Sequence, residues 1–103
     1  MYELKTYCFD LDNTLCNTSG TDYFNSTPIP MRIRKVNQLY AVGHKIVIFT
    51  ARGSKSGVDF SELTERQLKE WGVDFHDLLL GKPFADVYVD DKGINSEHFL
   101  WES

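Results

Sequence analysis

The chain has 103 residues, 42% hydrophobic and 25% charged, which is the balance of one small globular domain with a single core. Eleven basic residues against fifteen acidic ones leave a net charge of −4, which argues against the basic surface of a general nucleic-acid binder. No apolar run approaches the ~18 residues of a membrane span, and the N-terminus has neither the basic nor the apolar region of a signal peptide. The two cysteines, Cys8 and Cys16, are too few for a disulfide framework and read as buried thiols. The expectation is a reduced, cytoplasmic protein of one domain, 1–103, with no nucleic-acid or membrane partner.

Residues 4–9 (Leu-Lys-Thr-Tyr-Cys-Phe) are short, β-prone and mostly apolar without strict alternation, the pattern of a strand covered on both faces. Residues 15–30 are rich in Asn, Thr, Ser, Gly and Pro and predict a loop or flap with no core of its own. From 31 to 42, Ile33, Val36, Leu39, Tyr40 and Val42 fall at helical spacing, with Gly43 placed to stop the helix. Residues 45–50 (Lys-Ile-Val-Ile-Phe-Thr) form the clearest buried strand, and 51–57 a loop. Asp59 and Glu62 have the spacing of a capping box opening a helix that runs to Trp71, with Leu63, Leu68 and Trp71 inward and Gly72 as its stop. Short strands are expected at 77–80 and 85–89, and a terminal helix at 96–102.

Alternating strands and helices predict an α/β fold: a three-layer α/β/α, Rossmann-like arrangement around a mainly parallel sheet. Ligands in such folds collect beyond the carboxyl ends of the strands. The first strand runs into Asp10 and Asp12, the second ends in Thr50, and the last ends in Asp90 and Asp91. Carboxylates gathered on one edge repel one another unless a cation sits among them. Oxygen ligands without His or Cys favour Mg2+, which in turn recruits phosphate oxygens. Asp10 is then placed to attack phosphorus, and Asp12 to give a proton to the leaving oxygen and later take one from water. Thr50 is suited to hold a non-bridging oxygen, and Lys82 to offset the charge of the transferring group.

Asp10-Leu-Asp12-Asn13-Thr14, Thr50 closing Ile-Val-Ile-Phe-Thr, Lys82, and Val-Asp90-Asp91 resemble, in order, the four motifs of the haloacid dehalogenase superfamily, over residues 7–93. Phe-Thr-Ala-Arg-Gly, Gly-Lys-Pro and Val-Asp-Asp-Lys are also similar to stretches of small phosphatases found near bacterial capsule and surface-polysaccharide genes. The resemblance implies Asp10 as nucleophile and metal ligand. Asp12 is implied as general acid and base with its backbone carbonyl on the metal, and Asp90 with Asp91 as the rest of the metal shell. An acidic residue at position 12 is what the superfamily's phosphatases carry. The superfamily often has Gly where Asn13 stands. Asn13 and Arg52 are candidate substrate-binding residues, though Arg52 reads equally as one half of a loop salt bridge. Lys82 precedes Asp90 by only eight residues. Hence either 77–80 is a stub, or it is not parallel, or Arg52 replaces Lys82 as the neutralising cation.

Only 35 residues separate Thr14 from Thr50, enough for a flap at 15–30 but not for a folded cap domain. A capless hydrolase has an open site. Water exclusion then falls to the substrate, a small phosphorylated metabolite such as a phosphosugar or phospho-alcohol, or to a second subunit of a homo-oligomer. Tyr23, Phe24 and Ile29 of the flap either meet that partner or pack on the sheet. His44, His76 and His98 share no ligand spacing and read as structural. The competing assignments are a receiver-like signalling domain, which shares a Lys-Pro near its end but orders its motifs differently, and an inactive binding module.

Overall fold

The computed structural model describes residues 3–80, 87–89 and 101. Strand β1 (Thr6–Asp10) is followed by a flap holding β2 (Cys16–Asn17) and β3 (Thr27–Pro28). Helix α1 (Pro30–Ala41), β4 (Lys45–Thr50), α2 (Ser61–Glu70), β5 (Asp77–Leu80) and β6 (Val87–Val89) complete the order. The main sheet has four strands in the order β5-β4-β1-β6, and every pairing in it is parallel. The α/β class and parallel sheet are as the sequence predicts. No described helix is long and apolar enough to cross a membrane.

The chain steps outward from β1 to β4 to β5, then returns to the far edge of β1 for β6. Two right-handed crossovers stepping the same way place both helices on one face of the sheet. Accordingly Ile33, Val36 and Leu39 of α1 and Leu68 of α2 share one core cluster with Phe9, Ile46 and Ile48. Trp101 joins this cluster against Phe9, with the Arg32 guanidinium 4.9 Å above its ring. Cys8, Val47 and Phe49 alternate onto the opposite face and are buried there. The third layer predicted by the sequence is not among the described residues, and the helix expected at 96–102 lies outside them apart from Trp101.

Both helices begin and end for identifiable reasons. Pro30 occupies the first turn of α1, where its missing N–H costs nothing. Each helix closes in a Schellman motif. Gly43 and His44 donate to the Tyr40 and Leu39 carbonyls, and Gly72 and Val73 donate to those of Lys69 and Leu68. Gly43 and Gly72 supply the positive φ this closure needs, 104° and 70°.

Several local expectations change. The Asp59–Glu62 capping box is not formed. Helix α2 starts at Ser61, and Asp59 instead accepts hydrogen bonds from the Ser61 N–H and hydroxyl, an Asx turn ahead of the helix. Those two bonds, the hydroxyl's first, hold the Asp59 carboxyl below the usual carboxylate range. Tyr40 and Val42, placed inward by periodicity, are exposed, because the core stripe of α1 ends at Leu39. The segment 77–80 is a short strand parallel to β4. His44 and His76 are structural: their Nδ1 atoms accept the Lys5 and Ile46 N–H groups, 3.0 Å each. His98 lies outside the described residues.

Ile48 has no exposed surface and sits at the centre of the cluster under both helices. Ile48→Ala should cost about 2–5 kcal/mol of unfolding free energy, read from the shift in urea midpoint at unchanged slope.

Candidate active site

Because the strand order turns around β1, the switch point of the sheet lies at the carboxyl end of β1. Asp10 is the last residue of that strand and is half-buried, with its Oδ1 accepting the Leu11 N–H at 2.9 Å. Thr50 closes the neighbouring β4 and is buried. Its Oγ1 accepts the Arg52 N–H at 3.1 Å.

After Asp10 the chain turns tightly. The Leu11 carbonyl accepts N–H groups from Thr14, Leu15 and Cys16, while Asn13 donates to the Cys16 carbonyl. The turn requires Asn13 at φ 63°. Asn follows Gly among residues that tolerate this region, which explains why it can occupy a place where the resembling superfamily often has Gly. Asn13 is exposed, and its Oδ1 accepts the Thr18 N–H at 3.0 Å.

The Asp12 carboxylate is turned toward the flap and Arg52. Oδ1 accepts the Thr18 hydroxyl at 2.7 Å and Arg52 Nη2 at 2.8 Å, and Oδ2 accepts Arg52 Nε at 3.0 Å. The Arg52 side chain has no exposed surface, whereas that of Asp12 retains 21%. The remaining Arg52 donors reach Thr64 Oγ1 and Gln67 Oε1 on α2, and Ser26 Oγ on the flap. All five N–H groups of the guanidinium therefore have protein acceptors. Of the two roles the sequence leaves open for Arg52, the geometry shows the salt bridge.

The flap is more ordered than a plain loop. Strands β2 and β3 pair antiparallel, with one turn of 3-10 helix at Tyr23–Asn25 between them. Tyr23 lies 4.8 Å from the Arg52 guanidinium and edge-on to Phe60 at 5.0 Å, and its carbonyl accepts from Gln67. Phe24 is 69% exposed. Tyr23 thus packs on the protein, while Phe24 faces solvent. Ile29 is half-buried.

Cys16 is buried beside this group, its Sγ 3.6 Å from Asp12 Oδ1. Burial pushes its thiol above the ordinary value. A cavity of about 500 Å³ lies beside Thr50 and Arg52, with Val58, Phe60, Thr64 and Leu79 also lining it; neither Asp10 nor Asp12 does.

The structure thus gathers Asp10, Asp12, Asn13, Thr50 and Arg52 at one end of the sheet. Lys82, Asp90 and Asp91 lie outside the described residues. No group of three or more candidate metal-ligating side chains occurs among the described residues. Thr18, Ser26, Thr64 and Gln67 were not singled out by pattern. The signal that points to them is Arg52 itself, a cation two residues past a buried strand that must find acceptors.

No family model matches the chain. Its fold is similar to that of a structural-genomics target from Vibrio cholerae known from a crystal structure, with 27% sequence identity and a TM-score of 0.71. That likeness covers 91% of this chain and 85% of the other.

Both cysteines are buried. With burial raising the Cys16 thiol, the fraction of reactive thiolate at pH 8 is further reduced. An aromatic disulfide reagent should titrate neither thiol in the native protein at pH 8 and both in guanidinium. Rapid native labelling of one thiol would show that the 11–18 turn opens.

Proposed function

We propose that the protein is a magnesium-dependent phosphatase that hydrolyses a phosphomonoester through an aspartyl-phosphate on Asp10. The observation that carries this reading is the placement of Asp10 at the switch point, with Asp12 two residues on and Thr50 at the end of the next strand. Strands β1 and β6 add support. Val89 is registered with Phe9, and the next residue of the chain after each is an aspartate. The four motifs that resemble the haloacid dehalogenase superfamily point the same way, as does their likeness to phosphatases near surface-polysaccharide genes. On that resemblance the substrate is a phosphosugar or small phospho-alcohol.

The chemistry follows from the residues. A carboxylate oxygen of Asp10 attacks phosphorus as the bond to the leaving oxygen breaks, and Asp12 delivers a proton to that oxygen. Asp12 then takes a proton from water, whose oxygen attacks phosphorus and releases Asp10 and inorganic phosphate. The Thr50 hydroxyl and Lys82 serve the non-bridging oxygens.

The donors fit magnesium: they are hard oxygens, and the nearby sulfur is held as a thiol by burial. Asp10, the Asp12 carbonyl, Asp90 and Asp91 would hold the ion. The Asp12 carbonyl suits this role because its carboxylate is committed to Arg52 and Thr18. When bound, magnesium neutralises charge on the phosphoryl oxygens and aligns phosphorus with the attacking carboxylate.

Asp10→Asn should abolish turnover across a panel of phosphorylated metabolites while leaving the unfolding transition in place. Chelation should remove the wild-type activity and added magnesium restore it. Full activity of Asp10→Asn would overturn the assignment. Stable phosphorylation by a small phosphodonor, without turnover, would indicate a receiver domain instead. Asp12→Asn should slow hydrolysis of an alkyl phosphate by about 10²–10⁴-fold, the range for loss of a general acid.

A further inference from the structure

Four side chains close a ring at the mouth of the site. The Thr18 hydroxyl lies 2.7 Å from Asp12 Oδ1 and 2.6 Å from Ser26 Oγ, while Arg52 Nη2 reaches Ser26 Oγ at 3.3 Å and Asp12 Oδ1 at 2.8 Å. With Asp12 ionised, the state in which it takes a proton from water, the proton directions in this ring are determined. A carboxylate only accepts, so Thr18 spends its one hydroxyl proton on Asp12. Ser26 must then donate to Thr18, and its lone pairs are left for Arg52, which only donates. Every hydroxyl in the ring gives one proton and accepts one. Such a chain polarises along its length, so Ser26 strengthens a bond to Asp12 that it does not itself touch.

Thr18 follows β2 and Ser26 precedes β3, so both belong to the flap, whereas Asp12 belongs to the turn after β1. Thr18 is buried and Ser26 half-buried. We propose that the flap hydroxyls of Thr18 and Ser26, acting with Arg52, are positioning residues that hold the Asp12 carboxylate in its proton-transfer geometry, so that seating of the flap and readiness of Asp12 are one event. This inference rests on the reading of Asp12 as general acid and base.

The test uses a property that simple loss of folded enzyme cannot move. The kcat/KM values of the full chain are measured with magnesium on an alkyl phosphate, glycerol phosphate, and on p-nitrophenyl phosphate, whose leaving group needs little protonation. Fewer active molecules lower both values alike and cancel in the ratio. Misplacing the acid lowers the alkyl value selectively. Ser26→Ala should lower the alkyl-to-aryl ratio about tenfold, a part of what a general acid supplies. Thr18→Val should lower it further, and Ser26→Thr should restore it by replacing the hydroxyl. An unmoved ratio in both Ser26→Ala and Thr18→Val, beside a collapsed ratio in Asp12→Asn, overturns the positioning role and leaves the phosphatase reading intact. An unmoved ratio in Asp12→Asn overturns the acid–base reading beneath it.

Discussion

A guanidinium with no exposed surface carries a heavy desolvation penalty unless each of its donors finds an acceptor. Arg52 meets that demand by drawing on three elements at once: Asp12 after β1, Ser26 on the flap, and Thr64 with Gln67 on α2. Its backbone is tied as well, the N–H donating to Thr50 Oγ1, so the turn leaving β4 is set by the same residue. Removing the side chain would strand a partly buried carboxylate and two buried polar groups on α2. Bonds to charged groups contribute about 1.5–3 kcal/mol each before desolvation is subtracted, and through them this one residue ties flap, turn and helix to one another.

That arrangement is possible because of sheet topology. With β1 flanked by β4 on one edge and β6 on the other, its carboxyl end faces residues that arrive from both directions of the chain. Asp10 and Thr50 end adjacent parallel strands, whose spacing is about 4.8 Å; Asp10 is in register with Phe49 and Thr50 follows one residue on, so both stand at the same end of the sheet. The crossovers carry α1 and α2 to the same face, which brings Thr64 and Gln67 of α2 up to the end of β4 and within reach of Arg52. Asn37 braces the pair from below by bonding Gly72 and Asp74 at the end of α2. Geometry at the site is therefore a consequence of strand order, and the loops only finish it.

What the sequence made legible were features with one local cause. The strand at 45–50 is read from an unbroken apolar run, and the stops at Gly43 and Gly72 from the positive φ only glycine adopts freely. Asp10 and Thr50 stand out because each closes a strand, and Asp12 because it follows Asp10 by two residues. The features that escaped depend on partners far along the chain. Thr64 and Gln67 look like the solvent side of an amphipathic helix, and their burial is explained only by a cation twelve and fifteen residues earlier. The flap ribbon has strands of two residues, too short for any alternation to show. Asp59 and Glu62 have the right spacing for a capping box, but an Asx turn to Ser61 competes for the same carboxylate and wins.

Between Thr14 and Thr50 the chain spends its residues on the flap, α1 and most of β4, and the flap is the segment that reaches Asp12 at the strand ends. Leu15 and Cys16 root it in the main core, but its outer part is seated mainly by polar contacts: Thr18, Ser26 and the Tyr23 carbonyl make the hydrogen bonds, with the Tyr23 ring against Arg52 and Phe60 as the apolar contribution there. An apolar seat would have to expose surface to open, at a cost that grows with area. A polar seat exchanges its bonds for bonds to water at a net cost of about 0.5–1.5 kcal/mol each, and re-forms them with defined geometry on closing. If Asp12 carries the proton, the same bonds that hold the flap shut also aim the acid. An open flap then leaves Asp12 without the Thr18 hydroxyl, so through a ring of hydroxyls the flap supplies part of the coupling between closure and chemistry that larger enzymes obtain from a moving domain.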